Sequence, residues 1–171
     1  MRYSLGLLAV ASVFLCTYPV EAVVNFRAVA NEEVKIAQGE GKEQRRYEAL
    51  RLSQLGLQQF NQGNWKEALN NFEQALVITK EIGEREDEGA ILNNIGLIYD
   101  NLGEYAKALD YYQQSLAIEK QIGNKPGEAT SLNNIGAVYN YLGEYAKAKH
   151  YYHQSLAIEK QIGNKPGEAT S

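Results

Sequence analysis

The 171-residue chain has little of several residue types on which particular chemistries depend. Its single Cys excludes an internal disulfide and any zinc site built from cysteines. The two His residues give little material for a histidine-based active site. The three Pro residues exclude a Pro-rich disordered chain. Seventeen Lys and Arg stand against 21 Asp and Glu, and no basic stripe is present. This acidic balance argues against nucleic acid as the main partner, because phosphate binding needs clustered cations.

The first 22 residues have the pattern of a secretory signal peptide. Arg2 precedes an eleven-residue apolar run at 5–15, and Val20 and Ala22 fit a signal-peptidase site after Ala22. The run is shorter than the roughly 20 residues that span a bilayer. We therefore expect an exported chain, periplasmic or secreted from a bacterium, that has no membrane contact after cleavage. An uncleaved anchor is the alternative.

The rest of the chain is a repeat array with a period of 40 residues. Residues 92–131 and 132–171 are identical at 33 of 40 positions, and a divergent third copy occupies 52–91. Such a period calls for a solenoid in which each unit packs on its neighbours. The sequence predicts a polar, mobile lead-in over 23–46, repeats at 47–83, 84–123 and 124–163, and the start of a truncated fourth repeat at 164–171.

Each period carries two helical patterns. Apolar residues spaced i, i+3, i+4, i+7 predict a first helix over 88–102 and a second over 105–122 in the middle copy. Gly103 and Gly123 follow these helices, where a residue that tolerates positive φ is favoured. The short connection between them predicts an antiparallel helix hairpin.

These residues resemble the tetratricopeptide repeat, whose pattern is W-x₂-L-G-x₂-Y…A-x₃-F. The matching positions are Leu52, Leu55, Gly56, Ala68 and Phe72; Leu92, Ile95, Gly96, Tyr99, Ala108 and Tyr112; and Leu132, Ile135, Gly136, Tyr139, Ala148 and Tyr152. Two departures are Gln59 at the motif's Tyr and Lys120 at its Pro. The long period is similar to that of kinesin light chain, polarity-scaffold proteins and cyanobacterial tetratricopeptide proteins.

The resemblance implies an all-α fold, a right-handed solenoid of antiparallel helix hairpins. It also implies a non-catalytic scaffold that binds a peptide or partner helix of unknown identity in a concave groove. The alternative is that the chain is the N-terminal recognition region of a larger enzyme, such as a caspase-like protease.

Small and aromatic residues of the motif have clear packing roles. Gly96 and Gly136 lack a side chain where the two helices of a hairpin approach, and we expect Ala108 and Ala148 to be their small partners. Tyr99 and Tyr112 are expected to fill wider gaps between hairpins.

A polar stripe lies opposite the core side of each first helix when residues are placed 100° apart. First helices line the concave face in stacked hairpins of this type, so we expect this stripe to face the groove. The name inner stripe is used below for these residues and the two neighbouring asparagines: Gln54, Leu57, Asn61, Asn93, Asn94, Leu97, Asn101, Asn133, Asn134, Ala137 and Tyr141.

The repeated amide of Gln54, Asn94 and Asn134 is the best candidate for contacting a peptide. An Asn side chain both donates and accepts hydrogen bonds, so a ladder of them can satisfy a peptide backbone whatever its sequence. Kinesin light chain repeats, which this chain resembles, carry an Asn at this place. The alternative is that these amides bridge adjacent repeats. The Lys and Arg residues of a carboxylate clamp, as found in chaperone-binding members of the family, are absent from the groove positions.

Other chemical signals are weak. His150 and His153 are spaced i, i+3, but no third metal ligand is evident, so we expect no metal. Gly39 and Gly41 precede Lys42 without the rest of a phosphate-binding loop. We therefore expect no cofactor and no catalysis by this chain.

Overall fold

The computed structural model describes the backbone of residues 20–163 and the side chains from residue 41 to 163. This part of the chain forms six helices and no strand. They are α1 (Val20–Asn61), α2 (Trp65–Ile82), α3 (Arg85–Asn101), α4 (Tyr105–Ile122), α5 (Lys125–Tyr141) and α6 (Tyr145–Gly163). The all-α prediction is confirmed, and the helices predicted over 88–102 and 105–122 are α3 and α4.

The chain divides into two compact units, one ending at Gln44 and the other beginning at Arg45. The residues of the lead-in over 23–46 belong to the continuous helix α1, and its mobility stays a prediction. The second unit contains the helix hairpins. Most of the predicted signal peptide, and the residues 164–171 assigned to a fourth repeat, lie outside the described residues.

Glycine residues end the helices in the way that the repeat pattern predicts. Gly103 and Gly123 have φ values of +73° and +72°, in the left-handed region where a Cβ is unfavourable. The N–H of Gly123 donates to carbonyls in the last turn of α4. At the start of α5, the side chain of Asn124 accepts a hydrogen bond from Gly127 N, and Pro126 occupies the first turn. The helix boundaries are therefore set locally.

The close approach within a hairpin is between Gly96 and the ring of Tyr112. A Cβ built on Gly96 would lie 2.6 Å from Cε1 of Tyr112, and the same arrangement joins Gly56 to Phe72 and Gly136 to Tyr152. The expectation that Ala108 and Ala148 are the small partners of these glycines is corrected. The residue that meets Gly96 is Tyr112, which belongs to the same hairpin and is fully buried. The absence of a side chain on Gly96 leaves room for the Tyr112 ring.

Adjacent hairpins share buried clusters. Ala108 and Tyr112 of α4 pack with Ile135 and Val138 of α5, and all four are fully buried. Near this cluster, the hydroxyls of Ser115 and Ser131 form a buried hydrogen bond of 3.0 Å between α4 and α5. Each hairpin therefore completes its core with the first helix of the next, as a solenoid requires.

Asp100 lies at the C-terminal end of α3 and is a poorly accommodated acid. Its Oδ1 is buried and has no hydrogen-bond partner among the described residues. Burial raises the pKa of this carboxyl above its ordinary value. The helix dipole acts in the same direction, because the C-terminal end of a helix disfavours negative charge. The next repeat has Asn140 at this position, where it is exposed.

The substitution Asp100→Asn should raise the free energy of unfolding at neutral pH by about 0.3–1 kcal/mol. The raised pKa means that the folded state holds the proton more tightly than the unfolded state. The contribution of Asp100 is therefore fully favourable below its ordinary pKa of 3.8, and it is lost as the pH rises through the raised value. Urea titrations at several pH values should show a gain that disappears at acid pH. Asn140→Asp should have the opposite, smaller effect, and a less stable Asp100→Asn variant at neutral pH would contradict the assignment.

Candidate functional site

The inner stripe is exposed on α1 and partly covered on α3 and α5. Gln54, Leu57 and Asn61 are exposed, whereas Asn94 and Leu97 are half-buried. Leu97 packs against the buried cluster formed by α4 and α5. The stripe is therefore anchored to the core at its centre and open to solvent on the first repeat.

Two members of the stripe are hydrogen-bonded to each other across repeats. Asn134 on α5 donates through Nδ2 to Oδ1 of Asn93 on α3, at 2.9 Å. This bond links the first helices of the second and third repeats. In the part of the chain that is described, it leaves Nδ2 of Asn93 as a donor and Oδ1 of Asn134 as an acceptor without protein partners. The pair thus presents one donor and one acceptor.

The corresponding pair is missing between the first and second repeats. The first repeat has Ser53 where the second has Asn93, and Asn94 makes no hydrogen bond to the described residues. Both the donor and the acceptor of its amide are therefore available. Asn101 differs, because its Nδ2 donates to the carbonyl of Leu97 in its own helix at 2.7 Å.

The C-terminal end of the stripe is aromatic. Tyr141 is 66% exposed, and its ring stacks on Tyr105 of the preceding repeat with centroids 5.9 Å apart and planes 11° apart. Asn133 is exposed and Ala137 half-buried on the same helix. No member of the stripe is a Lys, Arg, Asp, Glu or His residue, so it carries no formal charge near neutral pH. A ligand here would meet amides, small apolar groups and one aromatic ring.

The structure also shows a repeated cation and aromatic cluster that sequence reasoning missed. Tyr99 stacks on Tyr111 with centroids 5.4 Å apart, and Nζ of Lys107 lies 4.9 Å from the centroid of Tyr99. The third repeat repeats this with Tyr139, Tyr151 and Lys147. The invariance of these residues between the two near-identical copies was the available signal. Their mutual contacts indicate a role in holding each hairpin together.

The two histidines do not form part of a metal site. His150 and His153 are both exposed on α6. Among residues 41–163, whose side chains the structure describes, no group of three or more His, Cys, Asp or Glu side chains is placed to hold a metal ion. Within that range no helix combines the length and the apolar character that crossing a membrane requires.

The family model of the tetratricopeptide repeat matches residues 47–121 and, in a second overlapping placement, 87–161. No curated protein matches the sequence.

Solved structures share the fold at low sequence identity. The tetratricopeptide repeat domain of Arabidopsis FLU superimposes with a TM-score of 0.65 and 21% identity, over 68% of this chain and 98% of that one. Aspartyl phosphate phosphatase F from Bacillus subtilis gives a TM-score of 0.65 and 20% identity, over 68% of this chain and 30% of that one. MamA gives a TM-score of 0.57 and 23% identity, over 67% of this chain and 60% of that one.

The matched residues cover more than half of the sequence and coincide with the helix hairpins of the second unit. The hairpin geometry, the glycine and aromatic contacts and the family model therefore agree. The chain belongs to the tetratricopeptide repeat family.

Proposed function

We propose that this chain is a non-catalytic scaffold whose inner stripe binds an extended segment of a partner protein. Tetratricopeptide repeats bind protein or peptide partners and are generally non-catalytic, and this supports the interaction role. The observation that carries the proposal is the uncharged row of amides on α1, α3 and α5, with free donors and acceptors at Asn93, Asn94 and Asn134. Such groups match the alternating N–H and C=O groups of a peptide backbone.

The free hydrogen-bonding groups of these amides favour backbone recognition. Asn94 offers a donor and an acceptor, and the pair of Asn93 and Asn134 offers one of each. The hydrogen bond inside the pair fixes both side chains before a ligand arrives, which reduces the entropy lost on binding. Leu57, Leu97 and Ala137 add small apolar contacts between the amides.

Specificity would come from the residues that vary between repeats. The second and third copies differ on their first helices at Leu97 and Ala137 and at Asn101 and Tyr141. The exposed ring of Tyr141 offers an aromatic surface that its counterpart Asn101 does not. A common set of amides would thus hold the backbone while the variable positions select side chains.

We also propose that the chain is exported. The proposal depends on the pattern of residues 1–22, with its apolar run and the small residue at Ala22. Mass spectrometry tests this proposal on the chain recovered from the periplasm or the medium of a producing bacterium. Cleavage after Ala22 should lower its mass by that of residues 1–22.

Photo-cross-linking tests where the partner lies. A benzophenone amino acid at Asn133, which is exposed on α5, should cross-link to a partner in the producing cell. The matched control places the same group at Ala117, which is exposed on the second helix α4. Adducts at residue 133 and none at residue 117 are expected. Adducts at 117 alone would contradict the inner stripe as the binding face.

A further inference from the structure

A buried carboxyl group lies at the place where α3, α4 and α5 meet. Glu119, in the last turn of α4, is only 3% exposed. A Cβ built on Gly89 of α3 would overlap Oε1 of Glu119, and a Cβ built on Gly127 of α5 would overlap its Oε2. The two glycines therefore leave the space that the Glu119 side chain fills at the junction between the second and third repeats.

The junction between the first and second repeats is built differently at this position. Thr79 stands where the later repeat has Glu119, and its hydroxyl donates to the carbonyl of Leu76 in its own helix at 3.1 Å. Ala49 and Asp87 occupy the positions of the two glycines, so neither of the residues that make room for Glu119 is repeated. The chain thus has one junction with a buried carboxyl group at this position and one without.

The carboxyl group of Glu119 is only partly satisfied. Its Oε2 has no hydrogen-bond partner among the described residues. The N–H of Gly127, at the start of α5, bonds to Oδ1 of Asn124 at 3.3 Å and does not donate to the carboxylate. Burial raises the pKa of Glu119 above its ordinary value of 4.5, a hydrogen bond with the Asn124 side chain lowers it in part, and the charge of Glu86 raises it.

The cations at the starts of α3 and α5 are bound to other acids. Both of these helices pack on α4. Arg85 of α3 forms an ion pair of 2.5 Å with the buried Glu88. Lys125 of α5 forms one of 2.7 Å with the buried Glu128. Within the described part of the chain neither cation is paired with Glu119, so no opposite charge compensates its ionised form.

We propose that Glu119 makes the stacking of the third repeat on the second sensitive to pH. Hydration of the ionised carboxylate requires α5 to separate from α3 and α4, because its Oε2 is buried without a partner. Uptake of a proton from the solvent on mild acidification removes this need, and the third repeat packs more tightly. The bond between Asn134 and Asn93 joins α5 to α3 across the same junction. The proposal does not depend on ligand binding by the inner stripe.

The direction of the pH effect follows from the raised pKa. The contribution of Glu119 to stability is fully favourable below its ordinary pKa of 4.5, where the folded and the unfolded chain both hold the proton. It is lost as the pH rises through the raised value of the folded chain. Protonation of Glu88 and Glu128, which are ion-paired, acts in the opposite direction. The effect of Glu119 must therefore be measured as a difference between two chains.

The substitution Glu119→Gln removes the titrating group and keeps nearly the same side-chain size. Urea titration at pH 7 should give an equilibrium constant for unfolding about tenfold smaller for the variant than for the unmodified chain. This advantage should disappear at pH 4, where Glu119 is protonated. Asp100 titrates in both chains, so its contribution cancels. The matched control is Glu73→Gln, the same change at an exposed position of α2, which should show no such advantage at either pH.

Hydrogen exchange followed by mass spectrometry locates the effect in the chain. After correction for intrinsic exchange rates, the amides of α5 should become more protected as the pH of the unmodified chain falls from 7 to 5. This gain should be smaller in Glu119→Gln, which keeps only the contributions of the other acids. The amides of α2, the helix that carries Thr79, should change equally in both chains.

Four results would overturn the proposal. The first two are an advantage of Glu119→Gln that is the same at pH 7 and pH 4, and one that Glu73→Gln reproduces. The third is a protection of α5 that depends on pH equally in the unmodified chain and in Glu119→Gln. The fourth is a Glu119→Gln chain that circular dichroism shows to be unfolded, or less stable than the unmodified chain, at pH 7.

Discussion

Replacing Tyr112 with alanine is expected to lower the free energy of unfolding of the repeat array by about 3–5 kcal/mol. The ring is fully buried, lies against Gly96 in its own hairpin and packs with Ile135 and Val138 of the next repeat. Its removal therefore opens a cavity at a place that joins three helices, α3, α4 and α5. Urea denaturation followed by far-ultraviolet circular dichroism would measure the loss.

Two variants separate this packing role from other effects. Tyr112→Phe should leave the stability unchanged or raise it by about 1 kcal/mol, because the buried hydroxyl has no hydrogen-bond partner among the described residues. The first repeat already has Phe72 at this position. Tyr152→Ala should cost clearly less than Tyr112→Ala, since Tyr152 is partly exposed. Equal losses for the two alanine variants would mean that burial beneath α5 does not set the energy.

The sequence predicted the local features of the fold correctly. The helical spacing defined α3 and α4 to within a few residues, and the position of Gly103 and Gly123 predicted left-handed turns. These features depend on residues close together in the chain, so the sequence of one 40-residue period is enough to predict the helices and turns. The sequence did not predict that Gly39 and Gly41 lie inside the continuous helix α1, because glycine has a low helix propensity.

Contacts between helices were harder to predict. Spacing along one helix gives the face on which Gly96 lies, but it does not give the residue of the other helix that meets it. The ring of Tyr112 was therefore missed and Ala108 was chosen instead. The bond between Asn134 and Asn93 was foreseen only as an alternative, because its partners are 41 residues apart and depend on how repeats stack. Whether the inner stripe binds a peptide is still a prediction.

The double substitution Asn94→Ala and Asn134→Ala is expected to weaken binding of the partner segment by about 5- to 150-fold. Each change removes a hydrogen-bonding amide from a partly desolvated interface, at about 0.5–1.5 kcal/mol each. Asn134→Ala also releases Asn93 from the bond that holds it in place. Both amides are only half-buried, so we expect a change in fold stability of about 1 kcal/mol or less.

The matched control is Gln113→Ala, which removes an exposed amide from the second helix α4. It should leave the affinity unchanged. A second comparison is Asn93→Ala, which should weaken binding less than the double substitution because Asn94 and Asn134 stay in place. An effect of Gln113→Ala as large as that of the double substitution would place the ligand elsewhere on the repeat.

The most direct measurement is the ratio of two dissociation constants, obtained by isothermal titration calorimetry. The ligand is the partner segment that cross-links to residue 133, titrated into the unmodified chain and into the Asn94→Ala, Asn134→Ala variant. Binding by the inner stripe predicts a ratio between about 5 and 150 with unchanged stoichiometry. Equal dissociation constants would show that neither Asn94 nor Asn134 contacts the ligand, and the proposed binding face would be wrong.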